Sequence, residues 1–339
     1  MKPITLIMLM LVAQSQPFKG SKTAQSCLQQ LIVAQPVTYK NLTIFPLVSH
    51  RMAQTDYVTL DEAMKRNWLT IKEIGSGEVN FVELKNTGIK AVFIMTGEMI
   101  SGAKQDRMIG EDILVPPKSG WLRIPVFCVE HGRWVKVSPA FKSSGLVVPN
   151  ALRQQARITE NQSRLWDEIA SSQDRLGIES HTGTAMANYG DEKVQKAIEE
   201  YTTSFARVPR LAKNTVGVCV ATGDRVICVD IFANNDLLMK YWHKLLKSYV
   251  MDALHGSKSI VRQDDVQDLL DALAHADYVS VGTPGSGDLL RIENGFGKGS
   301  VLLHKDNLVH MDFFLSDLSD EPDWRIDLRR EQRLQDSKN

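Results

Sequence analysis

The chain has 339 residues, 43% hydrophobic and 24% charged, and its 40 basic side chains balance 40 acidic ones. That composition excludes disordered, collagen-like and integral-membrane classes and is ample for a full hydrophobic core. A neutral chain with no interleaved basic and aromatic run lacks the electrostatic source that nucleic-acid binding requires, so no nucleic-acid partner is expected.

At the N-terminus, Met1-Lys2-Pro3 precedes about ten apolar residues, Ile4 to Ala13, and then Ala13-Gln14-Ser15, with small residues where a signal peptidase inspects the chain. Residues 1–15 are expected to be a signal peptide that exports the protein to a periplasmic or extracellular compartment. The alternatives are a cytoplasmic protein with a mis-assigned start codon and an N-terminal membrane tether that is never cleaved. The segment is shorter than the roughly 20 apolar residues of a transmembrane helix, and no other stretch reaches that length. The polar residues that follow predict a flexible connector over 16–32, with the folded part beginning near Val33.

From there to about Val148 the pattern is β-rich, with strands expected at Leu42–Phe45, Val79–Leu84, Ala91–Met95, Ile113–Val115, Ile124–Glu130 and Trp134–Val137. Thr59-Leu60-Asp61-Glu62 opens a short helix with a capping box. The centre turns helical. Gln162–Leu176 is one helix, and Asp191–Phe205 is another, with Val194, Ala197, Ile198, Tyr201 and Phe205 on one face. Val216–Val220 and Arg225–Ile231 then flank a Thr-Gly-Asp hairpin turn. Asn234 caps a long helix whose stripe from Leu237 to Ala253 reads as core, with Lys240, His243, Lys244 and Lys247 facing the other way. A further helix, Gln263–Ala276, precedes strands around Leu290, Leu302 and His310, and residues 316–339 form a charged tail. The fold class is α+β: a β-rich N-terminal half, central helices, and a C-terminal hairpin with a long buried helix.

Two short clusters carry the candidate chemistry. The first, Gly97-Glu98 to Arg107, follows an apolar strand, and its Lys104, Gln105 and Arg107 suit the capture of a phosphate or carboxylate. In the second, Cys128 to Trp134, a two-residue His131-Gly132 turn would set Glu130 and Arg133 opposite each other as a cross-strand ion pair. Arg133 can instead hold an anion, with Trp134 stacking on it. Glu98 and Glu130, both at strand ends, are the candidate acid and base pair. The histidines lack metal-ligand spacing, so no metal is expected, and the chain offers no cofactor signature. The glycines of 75–77 and 295–299 do not match a P-loop and read as turns. With Gly223-Asp224 as the hairpin loop, Cys219 falls opposite Cys228, and a cross-strand disulfide is the expectation set against two small buried thiols.

These motifs resemble a known family. Asn41 to Leu47, Gly97-Glu98 with Gly102 to Arg107, Pro125 to Trp134, Val216-Gly217-Val218 with Val229 to Phe232, and Tyr241-Trp242 with Lys244-Leu245-Leu246 are similar to the ARG and Rhodanese-Phosphatase-superfamily-associated domain. The resemblance runs from about Val37 to Phe314 and implies one domain over 33–315. It also implies a role near ADP-ribose or phosphoester metabolism, through association with ADP-ribosylglycohydrolases, rhodaneses and phosphatases. Three functions follow as expectations: binding of an anionic, phosphorylated or ADP-ribose-like small molecule; hydrolysis of such a ligand by the carboxylate pair; or a non-enzymatic structural or partner-binding role.

Overall fold

A computed structural model describes residues 19–316. The expected signal peptide and the charged tail beyond residue 316 lie outside the described residues. Helix α1 (Lys19–Leu28) leads into β1 (Leu31–Val33), β2 (Val37–Tyr39) and β3 (Leu42–Ser49). Next come β4 (Val58–Thr59), α2 (Leu60–Lys65), β5 (Leu69–Glu73), β6 (Phe81–Asn86), β7 (Val92–Ile94), β8 (Glu98–Gly102), β9 (Arg107–Ile109), β10 (Ile113–Val115), β11 (Leu122–Cys128) and β12 (Phe141–Val147). The helices α3 (Asn150–Thr159), α4 (Gln162–Leu176), α5 (Met186–Gly190) and α6 (Glu192–Phe205) follow, then β13 (Thr215–Thr222), β14 (Arg225–Phe232), α7 (Asn235–Ala253) and α8 (Gln263–His275). The strands β15 (Tyr278–Val281), β16 (Asp288–Asn294), β17 (Gly297–His304) and β18 (Asn307–Leu315) end the described chain. The class is α+β. Among the described residues no helix is long and apolar enough to cross a membrane.

Two large β-structures and a small sheet of order β10-β7-β4 organise the described residues. Strands β11-β6-β5-β12-β8-β9 close into a barrel, filled by side chains such as Ile71, Val82, Ile109, Ile124 and Val126. A large antiparallel sheet runs β1-β3-β13-β14-β18-β17-β16-β15, with β2 also paired to β3. Alternation along its strands divides two cores. Val218, Val220 and Phe232 face α3 to α7, whereas Cys219, Val229 and Ile231 face α1 and α8.

Local signals mostly hold. The Thr59 capping box forms, Asn161 and Asp191 cap α4 and α6, Asn234 caps α7, and Asn294–Gly297 closes a two-residue hairpin. Three expectations change. The polar stretch assigned as a connector contains α1, because Ala24 and Leu28 give it a buried stripe that packs into the α8 side of the sheet. No strand forms over Trp134–Val137, since β11 ends at Cys128 and the chain turns away to bridge Glu130 to Thr184. Lys244, placed by periodicity among the solvent-facing lysines, is buried on α7 and reaches Asp61 and Glu98.

The hairpin β13–β14 overturns the disulfide. Its turn pairs Thr222 with Arg225 and Ala221 with Val226, but Val220 then pairs with Cys228 and Cys219 with Val229. Ile227 is the extra residue of a β-bulge, and its carbonyl accepts a hydrogen bond from the Asn150 amide of α3. A one-residue slip sends side chains to opposite faces. Cys219 and Cys228 are accordingly free thiols in different cores.

Candidate functional site

The two clusters singled out in the sequence meet at one end of the barrel. Strands β8 and β9 are joined by a tight loop that begins at Gly102, with φ of 115°, where a Cβ would stand 2.5 Å from the Ser138 hydroxyl. Only glycine admits that approach. The next residue, Ala103, holds a left-handed φ of 46° and donates its N–H to Ser138 Oγ at 2.9 Å. The segment after β11 is thereby laid across the β8–β9 loop.

Arg133 fastens the segment. Its Nε donates to Glu130 Oε1 at 2.9 Å, Nη2 reaches Glu130 and Asp106, and Nη1 donates to the carbonyls of Ala103 and Val135. Glu130 in turn accepts the Asp106 N–H at 2.9 Å. The Glu130–Arg133 pair predicted across a hairpin is thus present, but inside a turn, three residues apart. Burial pushes the Glu130 carboxyl up, yet the Arg133 hydrogen bonds and the Asp106 N–H outweigh it and hold the group below its usual range. Above them Lys104 Nζ sits 4.7 Å from the centre of the half-exposed Trp134 ring.

Arg107 forms the floor. It lies two residues from Ile109 on β9 and pairs in register with Cys128, so both point into the barrel end. Its side chain is fully buried. Nη1 donates to Gln105 Oε1 at 2.9 Å, and the Gln105 amide is itself fixed by the Glu130 carbonyl at 2.8 Å. Nε and Nη2 find no acceptor, and no carboxylate among the described residues pairs with this guanidinium. Burial lowers the Arg107 pKa, with Cys128, Glu73 and Asp106 acting against it. Burial likewise raises the Cys128 thiol, which Arg107 partly offsets. The two groups thus lie side by side, each pushed toward its neutral form by burial and each partly held back by the other.

Lys104, Gln105, Arg107, Glu130, Arg133 and Trp134 are thus brought together. Glu98 is not part of that group. It is fully buried against α7, accepting from Lys244 Nζ, from the Met95 N–H at 2.8 Å and from Tyr241 Oη at 3.3 Å. Burial raises its pKa despite Lys244. Glu98 and Glu130 share no hydrogen-bond partner: the first is engaged from α7 and the second by Arg133 and the Asp106 N–H.

Sequence reasoning missed a second polar cluster, sealed between the sheet, α3 and the barrel. Arg153 donates Nη1 and Nη2 to Asp230 at 2.9 and 2.6 Å, and Tyr249 Oη donates to the same carboxylate at 2.6 Å. One turn on, Arg157 Nη2 donates to Asp312 at 2.8 Å and Ser300 at 2.9 Å. Asp230 and Asp312 are register partners on β14 and β18. His310 Nδ1 stands 2.6 Å from Asp112, and Nε2 lies 3.3 Å from Asp230. Burial alone would lower the His310 pKa, but Asp112 and Asp230 raise it to about 9. Gly97, at φ 87°, makes room, because a Cβ there would meet Arg153 Cγ at 2.8 Å. The available signal was an acid inside each of two otherwise apolar strands, Val229-Asp230-Ile231 and Met311-Asp312-Phe313.

A family model, that of the ARG and Rhodanese-Phosphatase-superfamily-associated protein domain, matches residues 30–314. No curated protein and no solved structure gives a significant match.

Proposed function

We propose that this chain, which belongs to the ARG and Rhodanese-Phosphatase-superfamily-associated protein domain family, binds a small phosphate- or carboxylate-bearing molecule at Arg107. The observation that carries the reading is the free edge of that guanidinium. Gln105 occupies Nη1, which leaves Nε and Nη2, the two parallel donors of the side-on fork, without an acceptor. That edge matches a carboxylate or phosphate in bidentate geometry. A buried cation without a partner is costly, and a bound anion removes the cost.

The other residues divide by role. Arg133 has its nitrogens committed to Glu130, Asp106 and two carbonyls, so it and Glu130 hold the wall of the site. Lys104, packed on the Trp134 ring, adds a second cation to the same loop, and a ligand reaches the buried Arg107 only when the surrounding segment opens. No hydrolytic role is assigned to Glu98, which Lys244 and Tyr241 engage from α7. The family's description as phosphatase-superfamily-associated agrees with a phosphate-bearing ligand.

The test is a series of thermal melts with phosphate, pyrophosphate, ADP-ribose and citrate, with chloride and ribose as controls. One anion class should raise the melting temperature of the wild type, a stabilisation of about 2.7 kcal/mol at a hundredfold excess over Kd that keeps growing with the logarithm of ligand concentration. Arg107→Met should abolish the shift. A wild type that no anion moves would remove the reading.

A further inference from the structure

A cavity of about 370 Å³ lies beneath α1, where the ends of β3, β13 and β14 meet the β17–β18 turn. Its floor is apolar, built by Leu28, Leu31, Val216, Ile231, Phe232 and Leu308. The charges at its rim are Lys19, Lys22, Arg51 and Asp306. Lys19 Nζ takes up Asp306 at 2.9 Å, which leaves Lys22 and Arg51 without an acidic partner among the described residues. The cavity falls in the roughly 300–1,000 Å³ range of small-molecule sites, which pair apolar walls with a few fixed polar groups. An apolar well under two unneutralised cations complements an anion that carries an apolar body.

We propose that this cavity binds a monocarboxylate with a medium-length alkyl chain, its carboxylate held between Lys22 and Arg51 and its chain laid on Phe232 and Leu308. The site is separate from Arg107 and independent of the function assigned there. The chain's own N-terminal residues are the competing occupant. Residues 1–18 carry Lys2 as their only charge, so they offer no acid to the rim. A free ligand satisfies both the floor and the cations.

Cys27 supplies the reporter. It lines the cavity and is the one cysteine of the four that is not fully buried. In the full chain, the rate of Cys27 modification by N-ethylmaleimide is followed by peptide mass with decanoate, decanol or inorganic phosphate present. Decanoate should slow the reaction at least tenfold and saturably, decanol should protect more weakly, and phosphate should have no effect. The double variant Lys22→Ala/Arg51→Ala, altered at two exposed side chains, should melt as the wild type does and bind decanoate at least tenfold more weakly. The proposal is overturned if decanoate leaves the rate unchanged, or if decanol protects as well as decanoate in both proteins. It is also overturned if Cys27 is closed to the reagent without ligand, the result expected when the chain fills its own cavity.

Discussion

Arg107 and Arg133 belong to one cluster and differ in what their nitrogens find. Arg133 is satisfied by two carboxylates and two carbonyls, and its side chain is only 16% exposed. Removing it strands Glu130 and Asp106, so Arg133→Ala should lose about 3 kcal/mol of stability with or without an anion present, measured by urea unfolding. If the loss is under about 1 kcal/mol, the strap is an ordinary surface pair. The sequence brought both arginines to attention because each sits in a short polar motif beyond an apolar strand. It could not rank them, because the acceptors of Arg133 come from two loops that only the barrel closure brings together. Arg153 and Arg157 escaped notice, and His310 read only as a structural polar group on a strand, for the opposite reason. Each reads as a lone polar residue, and the partners that define it lie between 77 and 198 positions away.

At the scale of elements, patterns confined to one segment were legible and those set by a neighbour were not. The α4 boundaries and the caps of α2, α6 and α7 follow from local chemistry. The register of β13 against β14 does not, because the bulge at Ile227 answers to Asn150 on a different helix. Under denaturing, non-reducing conditions Cys219 and Cys228 should both alkylate completely, each adding one label by mass. A fraction resistant until reduction would mean that the hairpin holds the unbulged register. Lys244 follows the same rule. Its position on α7 suggests solvent, and Asp61 and Glu98 on the barrel side draw it inward.

At the scale of the whole molecule, the sealed network joins what the chain order separates. Thr96 and Asp112 come from the barrel half, Arg153 and Arg157 from α3, and Asp230, Ser300, His310 and Asp312 from the sheet. The packing of the barrel half, α3 and the sheet against one another therefore rests partly on charge. His310 gives this a pH signature. Its folded pKa of about 9 lies above the unfolded value near 6.5, so its contribution is complete below pH 6.5 and is lost as pH rises toward 9. The loss is on the order of 3 kcal/mol, and His310→Gln should flatten that part of the stability profile. An unchanged slope in the variant would mean that His310 is neutral in the folded protein. Nothing local in the sequence announced a charged layer between these elements.

On the function proposed above, the guanidinium of Arg107 is kept for a ligand and opposes the fold when none is bound. Equilibrium unfolding of Arg107→Met beside the wild type, in a buffer free of phosphate and carboxylates, measures this directly. The variant should be as stable as the wild type or more so, since it buries an apolar side chain in place of an unpaired charge. A loss of about 3 kcal/mol would instead make Arg107 a structural residue of the barrel with no anion site.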